Sequence, residues 1–335
     1  MTEKIRRLKE EDFLAVSELF NHSKSIEELK WLFTNPNNHD QFNAFVTLKD
    51  DEKIIGVIGC ILSDYRHDEI NVQGVAPMSW RISSDYKGFA GIKLLKKALE
   101  QGDFGIAIGG TKIARELYSL FKFSNLMRRY KLFKIYSLRK FFSSLDDPFF
   151  IKIIKICVLL PGYINRINNK TVYKNVELIE YDKNNFVDEM YVGKVFQKVI
   201  TKNYIDWLLR FPNAKTYGFI IKLGDNPLGM CIFYIREIGK VRRGRIVYSP
   251  FLGNDMKLWR SVIYKSLDFF KSKNCAFVTA VATNKTSLSG FSTGMFKFMK
   301  SQPILIKDTK HILKTVDINN WYMQYAEGDR FYMDL

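Results

Sequence analysis

The feature that most constrains this chain is that part of it occurs twice. Glu28-Leu29-Lys30-Trp31-Leu32-Phe33-Thr34-Asn35-Pro36 is echoed by Tyr204-Ile205-Asp206-Trp207-Leu208-Leu209-Arg210-Phe211-Pro212, with Pro five residues after Trp in both. The two runs lie close to half the chain apart. A strand, turn, strand-with-Gly pattern follows each, over Ala44 to Gly56 and again over Tyr217 to Gly229. A chain of 335 residues is long for one domain and about right for two. The echo therefore predicts two copies of one α+β unit, with elements in the same order.

The first copy supplies that order. Lys4 to Leu8 reads as a strand, and Glu10 to Asn21 carries Phe13, Val16, Leu19 and Phe20 at helical spacing. Ser25 with Glu28 reads as a capping box that opens a helix ending at Asn35-Pro36. Ala44 to Leu48 and Lys53 to Leu62 form a hairpin around Asp50-Asp51-Glu52, and Val72 to Ser83 is a further strand. The small-residue run Asp85-Tyr86-Lys87-Gly88-Phe89-Ala90-Gly91 then precedes Ile92 to Leu99, which has helical spacing. Strand, small-residue turn and helix start together form a recipe for gripping a phosphate, because free N–H groups and the helix dipole face the ligand. Phe104 to Ile108 is a short buried strand, and Thr111 to Phe121 a helix. In the second copy Val176 to Tyr181, Arg245 to Tyr248 and Ala276 to Ala282 repeat strands of the first, but Ser249 to Asp255 stands where the glycine turn was.

Composition narrows the setting. Hydrophobic residues make up 47% of the chain, enough for each copy to bury a core. The longest apolar run, Ile151 to Leu160, is broken by Lys152 and Lys155, so no bilayer-spanning helix is expected. The opening residues lack the apolar core of a signal peptide. Cys60, Cys157, Cys231 and Cys275 have no paired spacing and read as reduced thiols, which places the expected location in the cytoplasm. His22, His39, His67 and His311 are scattered, so no metal site is expected. The net charge of +17 is concentrated: residues 125–175 hold eleven Lys or Arg against Asp146 and Asp147. Such a surface attracts polyanions, whether nucleic acid, an acidic membrane or ligands with several phosphates.

The element order and two motifs resemble the GNAT superfamily of CoA-dependent N-acyltransferases. Tyr86-Lys87-Gly88-Phe89-Ala90-Gly91 is similar to that family's glycine-rich turn with one residue fewer. Gly109 to Phe123 is similar to its Asn-x-x-Ala-x-x-x-Tyr-x-x-x-Gly-Phe motif, with Thr111 for Asn and Lys122 for Gly, while Ala114, Tyr118 and Phe123 keep register. The resemblance implies two tandem GNAT-like domains, each a mixed, mostly antiparallel sheet flanked by helices. The expected boundaries are 1–140 for the domain with the CoA turn, 141–175 for a basic aromatic connector, and 176–335 for a degenerate second domain.

The roles the resemblance implies are as follows. Trp80, Arg81 and Ile82 would pair with the pantetheine amides. Lys87, Gly88, Phe89, Ala90 and Gly91 would hold the pyrophosphate, with Thr111 and Arg115 on the second helix also on the cofactor side. Tyr118 would protonate the departing thiolate. The strand from Asn71 to Ser84 has no acid, which suits an amine of low pKa such as an amino sugar better than a lysine. Asp64, His67, Glu69 and Asp85 are candidates for a water relay.

The tandem form resembles bacterial N-acyltransferases of nucleotide-linked amino sugars. These are the group acting on dTDP-linked aminodideoxyhexoses for surface polysaccharides such as O-antigen or capsule. It implies an acetyl or hydroxyacyl donor such as 3-hydroxybutanoyl-CoA and a dTDP- or UDP-linked acceptor. Trp31, Trp207, Arg210, Arg242, Arg243, Asn284 and Lys285 are the acceptor candidates by position in the repeat. Two other readings compete. A tandem GNAT-like peptidyltransferase using aminoacyl-tRNA shares the fold and charge, but does not require the CoA turn. A membrane-peripheral module would use Arg128 to Phe142 and Phe149 to Leu160 as amphipathic anchors on an anionic bilayer.

Overall fold

The computed structural model describes residues 3–36, 38–50, 53–67, 70–143, 172–187, 195–313, 317 and 320–324. Most of the basic connector, including the anchor candidate Phe149 to Leu160, lies outside the described residues, as do Cys157 and Glu69.

The first half runs β1 (Glu3–Arg7), α1 (Phe13–Leu19), α2 (Ile26–Phe33), β2 (Thr34–Asn35), β3 (Asn38–Phe42), β4 (Ala44–Lys49), β5 (Lys53–His67), β6 (Ile70–Ile82), α3 (Ala90–Leu99), β7 (Phe104–Ile108), α4 (Lys112–Leu120), β8 (Ser124–Ile135) and α5 (Leu138–Ser143). The second half repeats it with β9 (Val176–Glu180), β10 (Phe196–Lys198), α6 (Lys202–Leu209), β11 (Lys215–Leu223), β12 (Asn226–Ile238), β13 (Val241–Tyr248), α7 (Met256–Ser272), β14 (Phe277–Ala282), α8 (Lys285–Ser292), β15 (Phe296–Asp308) and β16 (Trp321–Tyr322). The expected α+β class and its duplication are both present.

Local chemistry explains the boundaries. Ser25 accepts the Glu28 N–H at 3.1 Å and starts α2. The other half of the expected capping box does not form. Glu28 pairs with Lys24 at 2.6 Å and accepts from Asn213 of the other half at 2.8 Å. Two charge-assisted bonds hold that carboxylate more firmly than one exposed backbone N–H. The β4–β5 hairpin turns at Asp50 with φ 52°, a left-handed value that Asp tolerates.

The two halves do not keep separate sheets. Fourteen strands form one sheet in which β7, β15, β8 and β14 are consecutive neighbours, and β2 and β3 form a small sheet of their own. β8 leaves the first half to pair antiparallel with β14, from Phe277↔Ile135 to Ala282↔Tyr130. β15 crosses the other way and pairs antiparallel with β7, from Ile304↔Ile108 to Asp308↔Phe104. The two exchanged strands also pair with each other.

A second seam lies between helices. Trp31 and Trp207 stack with centroids 4.5 Å apart and planes 4° from parallel. Each indole N–H donates to the other residue's backbone carbonyl, at 2.8 and 2.9 Å. α1, α2 and α6 share one core around this pair, with β4, β5, β12 and β13 beneath. α3 and α4 pack on β4 to β7, and α7 and α8 on β11 to β14, in two further cores.

Candidate functional site

β6 and β7 are parallel neighbours for only two residue pairs, Gly74↔Phe104 and Val75↔Gly105. Between Val57↔Arg81 and Gly59↔Met78, β6 has an extra residue, and Ser79 takes φ 45°. A β-bulge of this kind bends its strand away, and a positive φ at a non-glycine is strain concentrated at one point. β6 parts from β7 after Val75 and stays with β5 through the bulge to Ile82. A gap opens between Ala76–Ile82 and Ile106–Ile108.

Both helix starts at the mouth of the gap are built from small residues. α3 begins at Phe89 without any side-chain cap, with Ala90 fully buried. A Cβ on Gly88 would collide with the Tyr86 ring, and one on Gly91 would lie 3.2 Å from the Trp80 ring. α4 follows Gly109 and Gly110, at φ 85° and 97°, and is capped by Thr111, which accepts the Ala114 N–H at 3.2 Å. Tyr118 is 6% exposed, with the Trp80 ring centroid at 6.4 Å and Phe123 at 4.9 Å. The Trp80 indole nitrogen is sealed from solvent and has no hydrogen-bond partner. A buried donor without an acceptor costs about 1–3 kcal/mol.

The second half builds the same gap and closes it. β13 and β14 pair only from Arg243↔Phe277 to Arg245↔Thr279, and an extra residue, Val247, bulges against β12. Here the chain's own segment 321–323 fills the space. Tyr322, 2% exposed, donates its hydroxyl to the Ser249 carbonyl beyond β13 at 2.8 Å. Thr283, beyond β14, donates to the Trp321 carbonyl at 3.1 Å and accepts the Met323 N–H at 3.0 Å. The helix above, α7, is capped by Asp255, whose carboxylate accepts from Lys257 and Leu258 N–H at 2.9 Å. An anion of the protein's own thus occupies the helix start that in the first half stands open.

The residues singled out from sequence fall in several places. Trp80, Ile82, Gly91, Thr111 and Tyr118 border the first gap. Lys87, Gly88, Phe89 and Arg115 are exposed at its mouth. Arg81 points elsewhere, its Nε donating to the Leu19 carbonyl at 3.1 Å. The acceptor candidates are not brought together. Trp31 and Trp207 are buried against each other, 8% and 2% exposed, and both indole N–H groups are spent on the seam. Arg242 pairs with Glu237 at 3.2 Å, and Arg243 lies over the Phe277 ring at 5.8 Å. These arginines sit where β13 begins. Asn284 and Lys285 follow the far end of parallel β14, roughly 20 Å away at ~3.3 Å per residue. Asn284 is 7% exposed and caps α8 through the Ser287 N–H at 2.8 Å. Arg210 and Lys285 are exposed.

Of the relay candidates, Asp64 is opposite Gln73 and His67 opposite Ile70, roughly 20 Å or more along β6 from Trp80. Asp85 is exposed beside Ser84, which donates to it at 3.2 Å. Burial pushes the Cys60 and Cys275 thiols up to about 12 and raises Cys231 as well. None of these three offers a thiolate for a covalent relay. Among the described residues no group of His, Cys, Asp and Glu could hold a metal ion, and no helix is long and apolar enough to cross a membrane.

Sequence reasoning missed the closure of the second gap. Asp255 at a helix start was a readable cap signal, but nothing in Trp321-Tyr322-Met323 marks it as the plug. It also missed Lys198 and Arg245, both 1% exposed. Lys198 donates to the Tyr204 hydroxyl at 2.7 Å, and Arg245 Nε to the Thr279 hydroxyl at 3.4 Å.

Solved structures share this fold. A GCN5-related N-acetyltransferase from Anabaena variabilis ATCC 29413 superposes with a TM-score of 0.60 at 13% identity, over 92% of this chain and 73% of that one. The chain has the GCN5-related N-acetyltransferase fold. A conserved protein of unknown function from Enterococcus faecalis V583, described as a probable N-acyltransferase, gives 0.59 at 9% identity over the same shares. The N-myristoyltransferase of Saccharomyces cerevisiae, solved with myristoyl-CoA and inhibitors, gives 0.54 at 10% identity, over 96% of this chain and 86% of that one. No family model matches the sequence. No curated protein matches it either.

Proposed function

We propose that this protein is an acyl-CoA-dependent N-acyltransferase with one donor site per chain, in the first half, acting on the amino group of a nucleotide-linked amino sugar. The observation that carries the donor half is the contrast between the two gaps. One has an uncapped helix start and a buried donor with no acceptor; its counterpart is capped by Asp255 and plugged by Tyr322. The plug is informative in itself, because an extended backbone segment with an amide and a carbonyl fits the second gap. The pantetheine arm of CoA, extended and carrying two amides, is a ligand of the same character for the first. The uncapped first turn of α3 suits the pyrophosphate.

In this reading the donor supplies a thioester, whose carbonyl carbon the neutral acceptor amine attacks. The C–N bond forms, the C–S bond breaks, and Tyr118 gives its proton to the departing sulfur. The ammonium proton released from the amine leaves to water and restores the phenol. The described cysteines, held as thiols, support direct transfer without an acyl-cysteine stage. The absence of a carboxylate within reach among the described residues of β6 supports an acceptor whose amine is already largely neutral near pH 7. The acceptor nucleotide, dTDP or UDP, and the role in surface polysaccharide assembly follow from the resemblance of the tandem form.

Thermal shift with CoA tests the donor half; no stabilisation at millimolar CoA overturns it. Acyl transfer from acetyl- and 3-hydroxybutanoyl-CoA to dTDP- and UDP-amino sugars, against lysine peptides, tests the acceptor half. Transfer to lysine in preference to the sugar amine overturns it.

A further inference from the structure

The outer side of α4 carries a feature that acyl transfer does not use. Ile113 and Leu120 are 69% and 70% exposed, among the three most exposed large hydrophobic residues described. Seven residues apart, they project from the same helix face, about 10 Å from each other. Just past Leu120, Phe121 joins Leu99 in walling a cavity of about 400 Å³ at the C-terminal ends of α3 and α4. Its rim is cationic. Lys96 is exposed, Lys307 donates to the Phe121 carbonyl at 2.7 Å, and Lys310 pairs with Asp103. Glu100, the acid on that rim, is held by Lys97 at 3.1 Å.

We infer that this surface is where the protein rests on an anionic lipid bilayer. Ile113 and Leu120 enter the headgroup region, and Lys96, Lys307 and Lys310 face lipid phosphates around the cavity. The argument is charge complementarity joined to an apolar ridge: an interface that is apolar below and anionic above meets both at once. A net charge of +17 adds long-range attraction to such a surface and opposes a second copy of the same chain docking there. The cavity and Leu120 lie at the C-terminal ends of α3 and α4, whereas the gap opens at their N-terminal ends; Ile113, in the first turn of α4, is the part of the surface that comes nearest the gap. The inference stands independently of which amine is acylated.

The test is co-sedimentation with phosphatidylcholine vesicles, with and without phosphatidylglycerol. The wild-type protein is expected to pellet only with the anionic vesicles and to be released by high salt. The Ile113→Gln/Leu120→Gln pair and the Lys96→Gln/Lys310→Gln pair should each lower partitioning by about tenfold or more. The thermal shift with CoA should stay unchanged in both pairs, which reports an intact fold and keeps this test separate from the donor reading. Wild-type protein that stays in the supernatant with anionic vesicles overturns the inference. So does an Ile113/Leu120 variant that pellets like wild type, or a wild-type dimer without vesicles that this variant abolishes.

Discussion

Replacing Trp80 by Phe removes one N–H and some ring volume, and the structure sets the sign of each effect. At Trp207, where the indole N–H donates to the Trp31 carbonyl at 2.9 Å, the same change strands a buried acceptor. That costs about 1–3 kcal/mol, with about 1–2 kcal/mol more for the smaller ring. At Trp80 the ring loss is similar, but the deleted N–H has no partner and its burial is already unfavourable. Removing it returns about 1–3 kcal/mol, so the two contributions nearly cancel. The free protein should therefore tolerate Trp80→Phe almost without change and lose at least about 2 kcal/mol in Trp207→Phe. Binding reverses the order. In the proposed donor reading the Trp80 N–H gains an acceptor as CoA enters; losing that bond, worth about 0.5–1.5 kcal/mol, weakens CoA about two- to twelvefold in Trp80→Phe and leaves it unchanged in Trp207→Phe. Equilibrium urea unfolding and calorimetric titration with CoA read the two quantities. Equal destabilisation by both variants, with wild-type CoA affinity in Trp80→Phe, would refute the reasoning.

Other outcomes follow from the same geometry. Tyr118→Phe should lower turnover at least tenfold with CoA affinity unchanged, and steady-state kinetics with titration checks this. Asp255→Ala removes the α7 cap and should cost about 1 kcal/mol in chemical denaturation. Iodoacetamide should leave Cys60, Cys231 and Cys275 unmodified in the native protein at pH 8, since these thiols are buried; mass spectrometry would detect their modification. Burial works to raise the Asp12 pKa, but the Arg6 guanidinium at 2.6 and 2.8 Å and the Lys9 N–H outweigh it and hold the group below its ordinary value. A depressed folded value means the stabilisation is complete above the unfolded value of about 4 and fades as pH falls through the folded one. The stability difference between wild type and Asp12→Asn should accordingly be largest near neutrality and shrink in acid.

Much of the fold was legible in the sequence because it rests on local signals. Ser25, Thr111 and Thr201 cap their helices through their own backbone neighbours. The apolar periodicity of α3 and β7 marks elements that a few adjacent residues specify. The echo of Trp31 at Trp207 revealed the duplication, yet the same residues misled about use. A tryptophan at a repeat position reads equally as a ligand platform or as a seam, and only the fold shows each ring stacked on the other. Strand exchange was illegible for a related reason. The patterns of β8 and β15 say that each is a strand, and nothing in a period of two names the neighbour. The bulges at Ser79 and Val247 likewise depend on register with a partner strand.

The exchange of β8 and β15 sets the order in which this protein can come into being. The sheet beside the first gap is finished by β15, roughly two hundred residues after β7 in the chain. At ~5–20 residues per second, a ribosome delivers β15 roughly 10–40 s after β7 has emerged. Throughout that interval the nascent first half carries the open flank of β7, the kind of edge on which chains pair wrongly. A gene cut at the midpoint would encode two pieces, each bearing the other's missing strand, and activity would return only when both are made together.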